Sequence, residues 1–108
     1  MNSNQVRKSP FHLINIEYSF DDEHFLKIEG HAEATDAKHI VCAAVSALCD
    51  TLALCVRQSD CCSVTLDNGF AEIRSTNQDL FPFFRFTLGG LTLIGAEHPE
   101  NVSITKKL

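Results

Sequence analysis

The longest apolar stretch of the chain, residues 40–56, sets the strongest limit on the fold. Only Ser46, Asp50 and Thr51 interrupt it with polar side chains. Aliphatic residues recur at every fourth position up to Val56, which predicts a helix. Because the opposite side is also apolar, we expect this helix to be buried on two sides, by its own sheet and by a second subunit. The 17 residues fall short of the roughly 20 that a membrane span requires, so no membrane association is expected.

Short segments of alternating or β-branched residues flank this helix and predict five strands. A polar turn at residues 21–23 joins the first two strands in a hairpin. Asn68 and Gly69 separate the third strand from the fourth, and this dipeptide is typical of a two-residue hairpin turn. The predicted strands cover residues 11–20, 25–29, 63–66, 70–74 and 102–105.

The pattern of residues 78–97 fits two structures. The spacing of Leu80, Phe84 and Leu88 fits a helix. A Gly-Gly pair inside the same segment favours the turn of a hairpin instead, since each glycine weakens a helix by about 1 kcal/mol. The residues alone leave both structures open.

Size and charge narrow the class of protein. The 108 residues predict a single domain, 1–108, with residues 1–10 as a loose N-terminal tail. Nine basic and 14 acidic residues give a net charge of −5, which disfavours direct nucleic-acid binding and suits a basic protein partner.

The polar N-terminus has no apolar run behind it, so we expect no secretory signal and a cytoplasmic location. No glycine-rich phosphate loop or zinc-binding spacing is present, so we expect no cofactor and no metal.

Five cysteines are many for a chain of this size, and a reducing compartment would keep them as thiols. Cys42 near the start of the long helix and His31 in the preceding loop form a candidate catalytic pair. A cysteine protease needs a thiolate nucleophile and a histidine that takes its proton. The positive end of a helix lowers a thiol pKa, and first-turn amides can hold an oxyanion. Ser46 lies on the same helix face. From the pattern alone, Cys42 as a packing residue and His31 as a solvated one remain the alternative.

Two segments carry a resemblance to a known family. Residues 30–32 read Gly-His-Ala, and residues 40–48 read Ile-Val-Cys-Ala-Ala-Val-Ser-Ala-Leu. Together they resemble the signature of the bacterial ribosomal-processing cysteine protease (Prp) family. Residues 96–105 resemble its C-terminal end, so the resemblance covers most of the chain.

The resemblance implies an α+β fold in two layers, with a mostly antiparallel sheet, two helices and the order β-β-α-β-β-α-β. It implies a helix over residues 79–97 and a homodimer. The implied activity is that of a cysteine endopeptidase that removes the N-terminal extension of a large-subunit ribosomal protein, next to an aromatic pair. Cys42 matches the family's nucleophile, His31 its catalytic histidine, and Ser46 a supporting serine of the signature.

One position departs from the family pattern. The family places an acidic residue three positions before the cysteine, and this chain has His39 there. Asp36 is the candidate to substitute for it, and His39 is a candidate second donor near Cys42. The departure motivates an alternative function, a catalytically impaired dimeric module that binds a ribosomal protein or the ribosome. The five cysteines motivate a third, a redox-sensing thiol protein.

The remaining cysteines and histidines are expected to be structural. Cys49 and Cys55 lie on the long helix and are expected to be buried. Cys61 and Cys62 come at a strand start, too close together for an ordinary structural zinc pair. His24 is expected on the surface of a strand.

Overall fold

The computed structural model describes residues 14–30 and 36–107. These residues form five strands and two α-helices in the order β-β-α-β-β-α-β, which confirms the predicted fold class. The predicted tail over residues 1–10, and the first part of the first predicted strand, lie outside the described residues. The elements are β1 (Ile14–Phe20), β2 (His24–Glu29), α1 (Asp36–Val56), β3 (Cys62–Asp67), β4 (Phe70–Ser75), α2 (Phe81–Glu97) and β5 (Val102–Lys106).

The strands form one sheet in the order β3-β4-β2-β1-β5. Three of the four pairings are antiparallel, and only β5 runs parallel to its neighbour β1. Both predicted hairpins are present. Gly69 has a φ of 74°, the left-handed conformation that a tight two-residue turn requires and that glycine adopts without strain.

One face of the sheet packs against both helices. The register places Ile16 opposite Ile28 and Leu26 opposite Ile73, so alternate residues of neighbouring strands line up on this face. Val45 and Leu52 of α1 and Phe84 and Leu91 of α2 are buried in the same cluster. The domain therefore has two layers, a sheet and a pair of helices, with the hydrophobic core between them.

Residues 78–97, whose pattern fits either a helix or a hairpin, are helical. A short 3-10 turn over Gln78–Leu80 leads into α2, and the Asn77 side chain accepts a hydrogen bond from the Asp79 N–H at 2.9 Å. Pro82 lies at the beginning of the helix, where no hydrogen-bond donor is needed. Gly90 faces α1, and a Cβ atom there would lie 2.9 Å from Cδ1 of Leu48. The absence of a side chain therefore helps the two helices to pack closely.

Two of the structural expectations for single residues are wrong. Cys49 is buried as predicted, but Cys55 is exposed, because it lines an open surface groove between α1 and α2. His24 is only 1% exposed. Its side chain lies on the helix-covered face of the sheet, where it contacts the rings of Phe20, Phe81 and Phe84.

The other face of the sheet is polar, with one covered aromatic side chain. Phe25 points to this face, yet it is only 4% exposed. The Arg74 guanidinium lies 4.4 Å from the centre of its ring, and Nζ of Lys107 lies 4.5 Å from it. Arg74 is held by ion pairs of 2.6 Å to Glu72 and 2.8 Å to Glu23. The cations thus cover apolar surface that neither α1 nor α2 reaches.

Candidate active site

A cleft of about 120 Å³ opens between the middle of α1 and the β3–β4 hairpin. Cys42, Ser46 and Asp50 form the wall on the helix side, because residues four apart lie on one face of a helix. The sheet and hairpin contribute the floor and the opposite wall, and these residues are Ile14, Ile28, Gly30, Leu66, Asp67, Gly69, Phe70 and Ala71. The structure therefore places Cys42 and Ser46 on the same wall of one cleft.

Cys42 is half-buried and is the seventh residue of α1, which begins at Asp36. The sequence predicts a helix start between residues 36 and 40, and the structure confirms it, with the start at residue 36. Six residues correspond to about 9 Å along a helix axis, and the effect of the helix dipole falls off within the first turn. The expectation that the positive end of the helix activates Cys42, and that first-turn amides hold the oxyanion, therefore does not fit this helix start.

Cys49 is a second thiol at the base of the cleft, and its environment is different. It is 3% exposed. Burial, and to a smaller extent the negative charge of Asp50, raises the pKa of the Cys49 thiol to about 12. A thiol with this pKa stays protonated at neutral pH and is a poor nucleophile. Of the two cysteines that line the cleft, Cys42 is therefore the better candidate.

Two carboxylates give the cleft a negative character. Asp50 is exposed on the helix wall, and Asp67 lies at the end of β3 on the opposite wall. The Asp67 carboxylate accepts a hydrogen bond of 2.7 Å from the Asn68 N–H. No lysine or arginine is found among the described residues that line the cleft, so the arrangement favours a cationic ligand.

The sequence did not single out Asp50, Asp67 or Leu66 as site residues. Asp50 could have been found, because it stands eight residues after Cys42 and thus continues the same helix face. Asp67 and Leu66 come to the cleft through the pairing of β3 with β4 and the packing of α1 on the sheet. Such a tertiary relationship leaves no local pattern in the sequence.

The other predicted site residues are only partly described. His31 lies outside the described residues. Asp36 and His39 belong to the first four residues of α1, and their side chains also lie outside the description. Gly30, the residue before His31, lines the cleft.

Within the described residues, no group of three His, Cys, Asp or Glu side chains is placed to hold a metal ion. Neither α1 nor α2, in the part of the chain that the structure describes, combines the length and apolar character needed to cross a membrane.

Comparison with known proteins identifies the family. The profile of the family described as "Cysteine protease Prp" matches residues 13–103, which is most of the chain. The chain therefore belongs to the cysteine protease Prp family. No curated protein matches it at a significant level.

Solved structures show the same fold. The ribosomal processing protease Prp from S. aureus, in complex with a substrate peptide, is 24% identical with a TM-score of 0.77, covering 88% of this chain and all of the other. The S. aureus protease with a covalently linked product peptide is 26% identical with a TM-score of 0.76. This match also covers 88% of this chain and all of the other. A protein from Streptococcus mutans is 22% identical with a TM-score of 0.70, covering 87% of this chain and 93% of the other.

Proposed function

We propose that this chain is a cysteine endopeptidase that removes the N-terminal extension of a large-subunit ribosomal protein, with Cys42 as nucleophile and His31 as general base. The observation that carries the proposal is the position of Cys42 on the wall of a cleft, in a chain that belongs to the Prp family. Prp structures from S. aureus with a substrate peptide and with a covalently linked product peptide support a polypeptide substrate.

The proposed chemistry follows from the two groups. His31 takes the proton of the Cys42 thiol, and the sulfur attacks the carbonyl carbon of the scissile peptide bond. The C–N bond breaks, and the imidazolium gives its proton to the leaving amine. A water molecule, deprotonated by His31, then hydrolyses the thioester. This step releases the carboxylate product and regenerates the thiol.

The remaining site residues are assigned supporting roles. Ser46 shares the cleft wall with Cys42 and is exposed, so its hydroxyl is available to hydrogen-bond a substrate backbone. Asp36 replaces the acidic residue that the family places at the position of His39, and it orients His31. His39 serves as a second donor near Cys42.

The charge of the molecule suits a basic ribosomal protein. The net charge is −5, and Asp50 and Asp67 lie in the cleft itself. A positively charged substrate would be attracted to the molecule and concentrated at the cleft. This substrate is made in the cytoplasm, which is the compartment that we propose for the enzyme.

We also propose that the protein is a homodimer, joined through the outer side of its two helices. This surface, the outer helix face, consists of Leu54, Phe83, Phe86 and Leu93, and each of these side chains is at least 46% exposed. Phe86 is 80% exposed, and apolar grooves lie on both sides of it. A cluster of exposed apolar side chains beside apolar grooves typically marks a protein interface, and two-fold pairing is the commonest form of self-association.

The test of the proposed activity is cleavage of a synthetic peptide that spans the N-terminal extension of the organism's own ribosomal protein. Cys42→Ala should abolish cleavage. Cys55→Ala is the matched control, because Cys55 lies on the same helix and is exposed, but does not line the cleft. It should cleave at the wild-type rate. Undiminished cleavage by Cys42→Ala would refute the proposed nucleophile.

The binding module is the second candidate, favoured by His39 in the acidic position. Fluorescence anisotropy with the same labelled peptide separates it from the protease. A wild-type protein that binds the peptide but leaves it intact is the result that the module predicts. A protein that neither binds nor cleaves it would exclude both functions for this substrate.

A further inference from the structure

Among the described residues, the strand β3 forms one edge of the sheet, with β4 as its single neighbour. Its sequence, Cys-Ser-Val-Thr-Leu-Asp, contains neither proline nor lysine, the residues that commonly block strand addition at an edge. An edge strand presents unpaired N–H and C=O groups, and extended polypeptides bind to such groups as an extra strand.

The hairpin register shows which residues present these groups. Asp67 and Phe70 flank the two-residue turn and face each other, so they exchange backbone hydrogen bonds. The hydrogen-bonded positions alternate along the ladder. Backbone groups of Cys62, Val64 and Leu66 therefore point outward, away from β4.

The same three residues line a surface groove. This groove lies next to the end of α1 and is lined by Arg57, Cys62, Val64 and Leu66. Leu66 also lines the Cys42 cleft and is 44% exposed. Leu66 is therefore the residue that the groove and the cleft have in common. From Leu66 to Cys62 the strand extends about 14 Å, since each residue adds about 3.4 Å.

We propose that the substrate polypeptide binds in extended form along the outer edge of β3, in register with Cys62, Val64 and Leu66, and enters the Cys42 cleft past Leu66. This inference rests on the proposed function, because it concerns the substrate of that activity. It assigns to β3 a role in positioning about four residues of the substrate on one side of the scissile bond. Backbone pairing of this kind depends on the extended shape of the peptide and only weakly on its side chains.

Two variants of Val64 test whether the backbone of β3 binds the peptide. Val64→Pro removes the outward N–H group, and proline is tolerated where that group faces solvent at an edge. Val64→Ala is the matched control, because it shortens the side chain and keeps the N–H group. Both are made in the Cys42→Ala background, so that the peptide stays intact, and the dissociation constant is measured by fluorescence anisotropy. We expect about a tenfold weaker affinity for Val64→Pro, the effect of one lost hydrogen bond, and less than a threefold change for Val64→Ala.

A second arm changes the peptide and leaves the protein unmodified, so it remains informative if Val64→Pro does not fold. Single backbone N-methyl groups are introduced at successive residues of the synthetic extension peptide. Strand pairing predicts that affinity falls at alternate positions and is retained between them. A uniform response along the peptide, or an unchanged affinity for a folded Val64→Pro protein, would overturn the proposal.

The outcomes separate this inference from the proposed function. If Cys42→Ala still cleaves the peptide, the proposed nucleophile fails, whatever the binding series shows. If Cys42→Ala is inactive but the alternating pattern is absent, only the pairing with β3 fails. A Val64→Pro protein that becomes monomeric with unchanged peptide affinity would instead show that the β3 edge pairs with a second copy, which also overturns the proposal.

Discussion

The ring of His24 lies against the ring of Phe84, with 5.5 Å between the ring centres. Phe20 and Phe81 complete the surroundings, at 6.1 and 5.1 Å. His24 is 1% exposed, and neither of its nitrogen atoms has a hydrogen-bond partner among the described residues. A buried polar group without a partner carries an uncompensated cost of desolvation.

Replacing this histidine should therefore stabilise the protein. We expect His24→Phe to raise the free energy of unfolding by about 1–2 kcal/mol, because it removes two unsatisfied polar atoms and keeps a ring of similar size. Urea unfolding followed by circular dichroism measures the change. His24→Ala is the control and should lower the stability by about 2 kcal/mol or more, because it leaves a cavity. A destabilised His24→Phe protein would indicate that the nitrogen atoms have a partner after all.

Cys49 makes stability depend on alkaline pH. Its pKa in the folded protein is about 12, against an ordinary value of 9.0. Below pH 9 the thiol is protonated in both the folded and unfolded states. Above pH 9 only the unfolded state releases the proton, so stability falls as the pH rises toward 12, by up to about 1.4 kcal/mol for each pH unit.

The measurement is a set of urea titrations between pH 8 and 10.5. Cys49→Ala should be less stable at pH 8, because it leaves a cavity, but its stability should fall less steeply with pH. Cys55→Ala should keep the wild-type slope, since Cys55 is exposed. All other ionisable groups are common to the wild type and Cys49→Ala, so the difference between their slopes isolates Cys49. Equal slopes for Cys49→Ala and wild type would contradict the assignment.

The outer helix face should hold the proposed dimer together. Phe86→Glu places a charge at its most exposed member, and burying an unpaired charge in an interface is costly. We expect this variant to be monomeric at concentrations where the wild type is dimeric, as measured by sedimentation velocity. Thr92→Glu is the control, because Thr92 is exposed on the same helix but lines neither apolar groove. A dimeric Phe86→Glu protein would place the interface elsewhere.

Local patterns in the sequence predicted most of the fold. The Asn68-Gly69 turn requires left-handed backbone that glycine supplies, so the β3–β4 hairpin could be predicted from two residues. Residues 78–97 needed the resemblance to the family, because glycine weakens a helix locally. The packing of Gly90 against Leu48 is a tertiary contact that the local pattern does not show.

Single-residue burial was harder to predict, for the same reason. Cys55 and Cys49 both lie in one apolar helix, and only the position of the sheet decides which of them is buried. His24 begins a strand in a polar stretch, and nothing near it in sequence shows that Phe81 and Phe84 will cover it. Cys42 is a nucleophile candidate from the sequence because the signature that contains it is local, whereas the opposite wall of its cleft comes from a hairpin more than 20 residues away.

The negative charge of the cleft predicts that KM depends on ionic strength. If the substrate is a basic ribosomal protein, its attraction to the net charge of −5 and to Asp50 and Asp67 in the cleft is screened as ionic strength rises. We therefore expect the KM for the intact ribosomal protein to rise severalfold between 20 and 150 mM salt, roughly as the screening length falls from about 20 to 8 Å, while kcat changes little. Asp50→Asn should raise KM at low salt and reduce its dependence on salt. The same titration with an uncharged peptide substrate is the control, and its KM should stay constant. A KM for the ribosomal protein that is equally insensitive to salt would show that electrostatic attraction does not contribute to substrate capture.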